Sequence, residues 1–295
     1  MENSGTALVF GASGYIGTNL TPRLQAAGWR VRASARHREV LEARCWQDVE
    51  LAEADALEPE SLDAVLQGID VAFYLVHSMA AGRDFARLDI EAARNFAAAA
   101  ARAGVGRIVY LGGLIPASPK SQHLASRAAT GDVLRDGTVP VTEIRAGMIV
   151  GPGSAAYEVI RDLVNYLPVM ITPRWVQSRS TPIALDNLLA YLIGVAALPE
   201  AAGKTYDVGG PETLTYEELM RQYGELVGKR FRLLSVPVLT PRLSSYWLRF
   251  VTSVPTRIAR ALIDGLEHDV IADDAEIRRL IPLDLLDFKQ SVQAA

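Results

Sequence analysis

The sequence predicts an α/β fold: a doubly wound parallel sheet with a smaller, mostly helical C-terminal lobe. Three observations carry this prediction. Thr6-Ala7-Leu8-Val9-Phe10 is an apolar, β-favouring run that leads directly into Gly11, Gly14 and Gly17, and a helical pattern follows. Beyond it, apolar strand-like runs alternate with stretches of helical spacing up to about residue 150. After Gly151-Pro152-Gly153 the pattern changes to helices, prolines and short extended pieces. A core of residues 1–150, with 182–210 returning to it, is therefore expected, and 151–181 with 211–295 form the second lobe.

The elements follow in order. The helix after Gly17 runs to about Ala27, Gly28 stops it, and Pro22 inside it removes one backbone bond. Trp29 to Ala35 is a second strand and Val49 to Ala54 a third, and Pro59 opens a short helix. Val71 to His77 and Arg107 to Leu111 are nearly unbroken apolar strands, as sheets covered on both faces require. Between them Phe85, Leu88, Ala92, Phe96 and Ala99 set a helix over Asp84 to Ala103, closed by Gly104. Gln122 to Arg135 is a further helix and Val141 to Arg145 a sixth strand. In the second lobe a helix spans about Ala155 to Leu167, and an irregular segment reaches Pro182. Ile183 to Leu185 is a short strand, and Asp186 is placed to cap the helix carrying Leu188 to Val195. Thr215-Tyr216-Glu217-Glu218 has capping-box spacing, with Leu214 and Leu219 placed as its hydrophobic staple. This is the pattern of a Rossmann-type fold, with ligands expected at the carboxyl ends of the strands.

The glycine triad points to chemistry. Gly11 permits a sharp turn, Gly14 leaves room for a diphosphate, and Gly17 lets the helix pack close to the sheet. The diphosphate would lie on the helix N-terminus, where the dipole favours negative charge. The second strand ends in Ser34-Ala35-Arg36-His37-Arg38, without the acid that would hold the ribose hydroxyls of NAD. Arg36, with Arg38 nearby, instead offers a cation to a 2′-phosphate, so NADP(H) is preferred to NAD(H). Solvated surface arginines are the alternative.

Composition excludes other classes. Lys and Arg number 30 against 34 Asp and Glu, a net charge of −4, with no basic run for nucleic acid. No apolar run approaches the roughly 20 residues that span a bilayer. One cysteine, Cys45, excludes an internal disulfide and fits a reducing compartment, and a small buried or partly buried thiol is expected there. No early segment reads as a signal peptide, so a cytoplasmic protein is expected. Four histidines without ligand-like spacing give no metal site. Leu243, Tyr246, Trp247, Phe250, Val251 and Val254 form an apolar helical face. It reads as lobe packing, as a lid over an apolar substrate, or as a homodimer or membrane-surface contact.

Gly11-Ala12-Ser13-Gly14-Tyr15-Ile16-Gly17, Arg145 to Gly153 and Tyr206 to Glu212 together resemble the extended and atypical short-chain dehydrogenase/reductase superfamily. Tyr74 to Met79 and Pro168 to Pro173 resemble its NmrA-like, NAD(P)H-binding branch. The resemblance implies that Ala12, Ser13, Gly14, Tyr15 and Ile16 lie along the diphosphate and Arg36 at the adenosine ribose. It places Asp55 and Ala56 at the adenine, and Leu75, Val76 and His77 under the adenosine and diphosphate. Gly112 and Gly113 would flank the nicotinamide ribose, with Ala146, Gly147 and Met148 on the nicotinamide side.

Active members of that superfamily carry Tyr-x-x-x-Lys on the helix after the fifth strand and a hydroxyl at that strand's end. Here the strand ends in Gly112-Gly113, and the helix carries His123 and Arg127 at the same spacing. His123 can exchange a proton near neutral pH, and Arg127 can hold ribose hydroxyls or a phosphate and depress the charge of His123. The alternative is two ordinary helix residues. Two functions follow: an NADP(H)-binding oxidoreductase or epimerase-like enzyme on an apolar small molecule, or a non-catalytic NADP(H)-responsive sensor or scaffold.

Overall fold

The computed structural model of the chain describes residues 5–77, 84–115, 122–172, 174–235, 252, 254–255 and 268–294. The first half alternates strand and helix: β1 (Thr6–Phe10), α1 (Tyr15–Ala26), β2 (Arg30–Ala35), α2 (Arg38–Glu42), β3 (Val49–Glu53), α3 (Pro59–Leu66), β4 (Val71–Tyr74), α4 (Phe85–Ala103), β5 (Arg107–Gly113), α5 (Gln122–Arg135) and β6 (Val141–Ala146). The second half holds β7 (Ile149–Val150), α6 (Ala155–Tyr166), β8 (Val169–Thr172), β9 (Arg179–Ser180), β10 (Ile183–Ala184), α7 (Leu185–Ala197), β11 (Thr205–Val208), β12 (Leu214–Thr215), α8 (Tyr216–Leu226), β13 (Arg232–Ser235), α9 (Ala275–Leu280) and α10 (Phe288–Gln293).

Seven strands form one sheet in the order β11-β6-β5-β4-β1-β2-β3. The registers of β1 with β2, β2 with β3, β1 with β4 and β4 with β5 are parallel. From β1 the chain winds outward through β2 and β3, then returns to β4 on the other side of β1. The order therefore reverses between β1 and β4, the position where doubly wound sheets open a crevice for ligands. The predicted fold class is the one observed.

Chain contacts divide the molecule into two units: 1–112 with 126–145 and 189–206, and 113–125 with 146–188 and 207–295. The core of the first unit is built on Phe10, Tyr74 and Phe96, all fully buried. Their ring centroids lie 4.8 to 6.0 Å apart, within the range where aromatic pairs attract beyond simple area burial. Helix α4 meets this cluster with Ala92, Ala93, Phe96, Ala97, Ala99 and Ala100, and its small residues let it lie close to the sheet. Gly104 closes α4 in the left-handed conformation at φ 71°.

The second unit has its own core, with Ile160, Leu163, Met170, Leu219, Met220 and Phe288 among its buried members. The capping box of α8 is present: the Thr215 hydroxyl accepts from the Glu218 amide, and the Glu218 carboxylate accepts from the Thr215 amide. Leu214 and Leu219 are both buried in that core, as a staple requires.

Several boundaries differ from expectation. Strand β4 ends at Tyr74 rather than His77: Leu75 still donates to Phe10 O, but the chain then leaves the ladder at the sheet's carboxyl end. Strand β5 runs on through Gly113. The segment expected to be irregular up to Pro182 contains β8, which pairs in parallel with β13, and β9, which pairs antiparallel with β12. Both partners are distant in sequence, so no local pattern reveals them. Helix α7 starts at Leu185, which puts Asp186 inside its first turn instead of at the cap. An acid there still opposes the positive end of the helix dipole.

Cys45 is exposed, not buried. It sits at φ 53° in the turn that closes α2, its amide donating to Glu42 O, and that turn carries its side chain outward. The apolar face from Leu243 to Val251 lies outside the described residues, and Val254 is buried.

Candidate functional site

The turn between β1 and α1 is set by three glycines with three different geometries. Gly11 has φ 95°, a left-handed conformation that strains any side chain, and a Cβ on it would stand 3.1 Å from the Leu75 backbone. A Cβ on Gly17 would stand 2.5 Å from Gly11 O and 2.6 Å from Ala12 Cα. Only glycine lets α1 approach the turn so closely. At Gly14 a Cβ would meet only Gly11 O, at 3.3 Å, and Ser13 and Gly14 are exposed.

The amides of Gly11 and Ala12 donate to Ser34 O, and that of Gly14 to Gly11 O, so the turn is held from within. The first helical bond of α1 comes from Thr18 to Gly14 O, which leaves the amides of Ile16 and Gly17 ahead of the ladder. No side chain caps this end, and no acid stands in the first turn. An uncapped, acid-free N-terminus floored by glycine suits an anion such as a dinucleotide diphosphate. The residues present fit that group.

Around this turn the other expected positions take their places. Arg36 follows β2, is exposed, and makes no hydrogen bond or ion pair with other described residues. Arg38 is engaged differently: its guanidinium donates to Glu42 Oε1 at 2.9 Å and to Leu51 O at 2.6 Å. Of the two arginines, Arg36 is the one with its cation available. Asp55 uses Oδ1 to accept from the Leu57 amide at 2.9 Å, a turn that shapes the exit of β3. Ala56 O accepts from Asn95.

The exit of β4 carries a buried polar network that sequence reasoning missed. His77 Nδ1 lies 2.8 Å from Oδ2 of Asp89, on α4. The hydroxyl of Ser126, on α5, donates to the same oxygen at 3.0 Å. Asp89 and Ser126 are 3 % and 4 % exposed. The His77 pKa lies below the ordinary histidine value, first because burial disfavours the charged ring and also because Arg127 is cationic. Asp89 acts against both through its hydrogen bond and its charge. Asp89 is flanked by alanine-rich helix, and a lone acid among the apolar positions of α4 was the available signal.

Arg127 does not stand as a loose surface cation. Its guanidinium donates to Leu111 O, its charged end lies 5.8 Å from the Tyr110 ring centroid, and the Tyr110 hydroxyl donates to Arg127 O at 3.0 Å. These contacts tie α5 to β5. The Arg127 charge is also one of the causes that lower the His77 pKa.

Gly112 is buried against the Glu143 carboxylate, and a Cβ there would fall 2.6 Å from Glu143 Oε1. Glu143 is itself fully buried and ion-paired with Arg135 and Arg145. Packing against Glu143 therefore leaves no room for a side chain at position 112.

In the second unit, His123 is half-buried in the first turn of α5. Leu114 donates to Ala146 O at 3.1 Å, Gly147 packs under Leu114 and Ser180, and Met148 is buried in the core. A cavity of about 380 Å³ lies beside these residues, lined by Leu114, Ile115, Val270 and Ile271 with Arg179, Asp207 and Asp269. Asp269 neutralises Arg179 through two contacts of 2.7 and 2.9 Å to one oxygen. That pair holds the Asp269 carboxyl below its ordinary pKa, chiefly through the Arg179 amide.

Residues 3–150 match the NmrA-like family. Among curated proteins, a ceramide reductase of Caulobacter vibrioides is 28% identical over 239 residues, 79% of this chain and 74% of that protein. A (4-alkanoyl-5-oxo-2,5-dihydrofuran-3-yl)methyl phosphate reductase of Streptomyces griseus is 28% identical over 272 residues, covering 88% and 86%. Among solved structures, the triphenylmethane reductase of Citrobacter sp., complexed with NADP(H), superposes with a TM-score of 0.79 at 21% identity. That alignment covers 98% of this chain and 99% of the other.

Proposed function

This chain belongs to the NmrA-like family, and from that premise we propose that it is an NADP(H)-dependent oxidoreductase acting on a small, largely apolar molecule. The observation that carries this reading is the uncapped, acid-free, glycine-floored N-terminus of α1 at the strand-order reversal. Arg36, exposed just past the end of β2, supports NADP(H) over NAD(H) by offering its guanidinium to a 2′-phosphate. The names of the two curated relatives, both reductases, and the NADP(H) held by the solved neighbour support the same direction.

In this reading Ala12, Ser13, Gly14, Tyr15 and Ile16 hold the diphosphate, and Asp55 and Ala56 border the adenine. Leu75 and Val76 form the floor beside Gly11. Gly112, Gly113 and the run Ala146-Gly147-Met148 frame the nicotinamide end, with His123 and Arg127 as candidate partners of the reacting groups. The bound cofactor would supply hydride chemistry. The cavity formed by Leu114, Ile115, Val270 and Ile271 suits an apolar body, and its Arg179–Asp269 pair and Asp207 suit a hydroxyl or carbonyl head. An amphiphilic carbonyl compound meets both demands.

One observation favours a second reading, a sensor that binds NADP(H) without turnover. Strand β5 ends in Gly112 and Gly113, so the hydroxyl used by active short-chain dehydrogenases is absent. A two-stage experiment separates the readings. Purified protein is titrated with NADPH and NADH by fluorescence, then NADPH oxidation is followed with menadione, decanal and benzaldehyde. The oxidoreductase reading expects selective NADPH binding and oxidation with at least one probe. Binding without oxidation of NADPH by any probe turns the assignment to the sensor, and failure to bind either cofactor refutes both.

A further inference from the structure

We propose that the outward face of the β8–β13 pair, with the cationic run that leads into β13, docks this protein onto the surface of an anionic phospholipid bilayer. The inference goes beyond the oxidoreductase reading and does not depend on it.

The pair is a parallel two-stranded sheet, separate from the seven-stranded one, and both strands belong to the second unit. Its side chains alternate between two faces. Met170 is buried in the core of that unit, and Leu233 packs against the same core. Val169, Ile171 and Leu234 take the opposite face and are 48, 51 and 52 % exposed. Ile171 and Leu234 are register partners, so their side chains stand next to each other, one strand spacing (about 4.8 Å) apart. Tyr166, which closes α6 just ahead of β8, is exposed as well.

Exposed apolar residues scattered singly are ordinary, whereas a strip held in register marks an interaction site. Parallel strands are apolar on both faces where both faces are covered. Here the strands have that composition, and one face meets solvent. The pair is built for a second covering layer.

Charge identifies the layer. Gly228, left-handed at φ 66°, ends α8, and the Lys229 amide turns back to donate to Gly224 O at 2.8 Å. In the chain that leaves this turn Phe231 packs against the core, while Lys229, Arg230 and Arg232 are exposed. Arg232 is the register partner of Val169, which sets a cation on the apolar face itself. None of the three is ion-paired among the described residues. The acid nearest to them in sequence, Glu225, is held by Lys289 at 2.9 Å. Three cations thus stand beside three exposed aliphatic side chains and a tyrosine, on a chain of net charge −4. Such an asymmetry turns this face toward an anionic surface.

On a bilayer the aliphatic groups enter the boundary between headgroups and acyl chains. The long arginine and lysine side chains keep their charges at the lipid phosphates. A second copy of the chain fits the face less well. A twofold contact places each patch against its own copy, and the cations would then meet cations.

The test is flotation of the purified full chain with vesicles of phosphatidylcholine alone or with about 30 % phosphatidylglycerol. Partition should be at least about tenfold stronger on the anionic vesicles and should fall as NaCl rises from about 0.05 to about 0.5 M. Combining Lys229→Gln, Arg230→Gln and Arg232→Gln should weaken it by roughly 100-fold, about fivefold per cation. Ile171→Ser with Leu234→Ser should weaken it by at least about tenfold at unchanged charge. The altered side chains are exposed, so the urea midpoint should stay near that of the unmutated protein. The charge variant carries the test alone should the serine pair fail to fold. Sedimentation velocity follows the association state of each protein. No flotation of the unmutated chain, equal flotation with both vesicle types, or flotation untouched by the variants overturns the proposal. A chain that does not float, and whose dimer dissociates in the serine variant, overturns it in favour of a second copy.

Discussion

Gly17→Ala is the sharpest test of how the dinucleotide turn is built. An alanine Cβ at this position would stand 2.5 Å from Gly11 O and 2.6 Å from Ala12 Cα, against 3.4 Å at the near edge of ordinary contact. Both obstacles are backbone, so neither can rotate aside. The helix start and the turn must move apart by roughly the missing ångström, a strain of the kind that costs about 1–3 kcal/mol in a packed interior. Alanine returns up to about 1 kcal/mol as the better helix former. A net loss of about 1–2 kcal/mol is expected, read as a lower urea midpoint with an unchanged m-value. The same displacement carries the amides of Ile16 and Gly17 away from the diphosphate, so NADPH affinity should fall by at least about tenfold. Gly14→Ala is the control, because its Cβ would meet a single oxygen at 3.3 Å and stability should change little. A Gly17→Ala protein with unmutated stability and NADPH affinity would refute the idea that close packing of α1 on the turn forms the site.

Other outcomes follow from the same structure. Arg36→Ala should remove most of the preference for NADPH over NADH, measured by parallel fluorescence titrations; equal affinities in the unmutated protein would refute the 2′-phosphate role. The folded-state pKa of His77 is depressed, so the unfolded chain binds the extra proton first as pH falls. His77 should therefore lower stability as pH drops from about 6.5 through its folded midpoint, and His77→Gln should remove that part of the slope in urea melts across pH. Thr215→Ala deletes the hydroxyl of the α8 capping box and should cost about 1 kcal/mol in the same melts; a change below about 0.3 kcal/mol would show the box to be redundant with packing.

The parts of this protein legible in the sequence are those with local causes. The glycine triad, the alternating strands and helices, the Gly104 stop and the Thr215 capping box each depend on residues within a few positions of one another. Steric freedom, side-chain periodicity and capping act over that range, so the α/β class and the glycine turn between β1 and α1 could be read directly. Tertiary structure decided what long-range pairing controls. Strand β8 is four residues between prolines and exists because β13 pairs with it from far along the chain. Asp89 reaches His77 across 12 residues and Ser126 across 37, and no linear spacing encodes that meeting. Arg127, placed by sequence beside His123 at helical spacing, turns its guanidinium to Leu111 O, because a cation against a buried strand end finds a carbonyl and an aromatic face there. Gly112 looked like a lost hydroxyl and is, in space, the clearance above a buried Glu143 held between Arg135 and Arg145. Local rules specify the backbone of the turn, and only the folded chain brings together side chains as far apart in sequence as His77, Asp89 and Ser126.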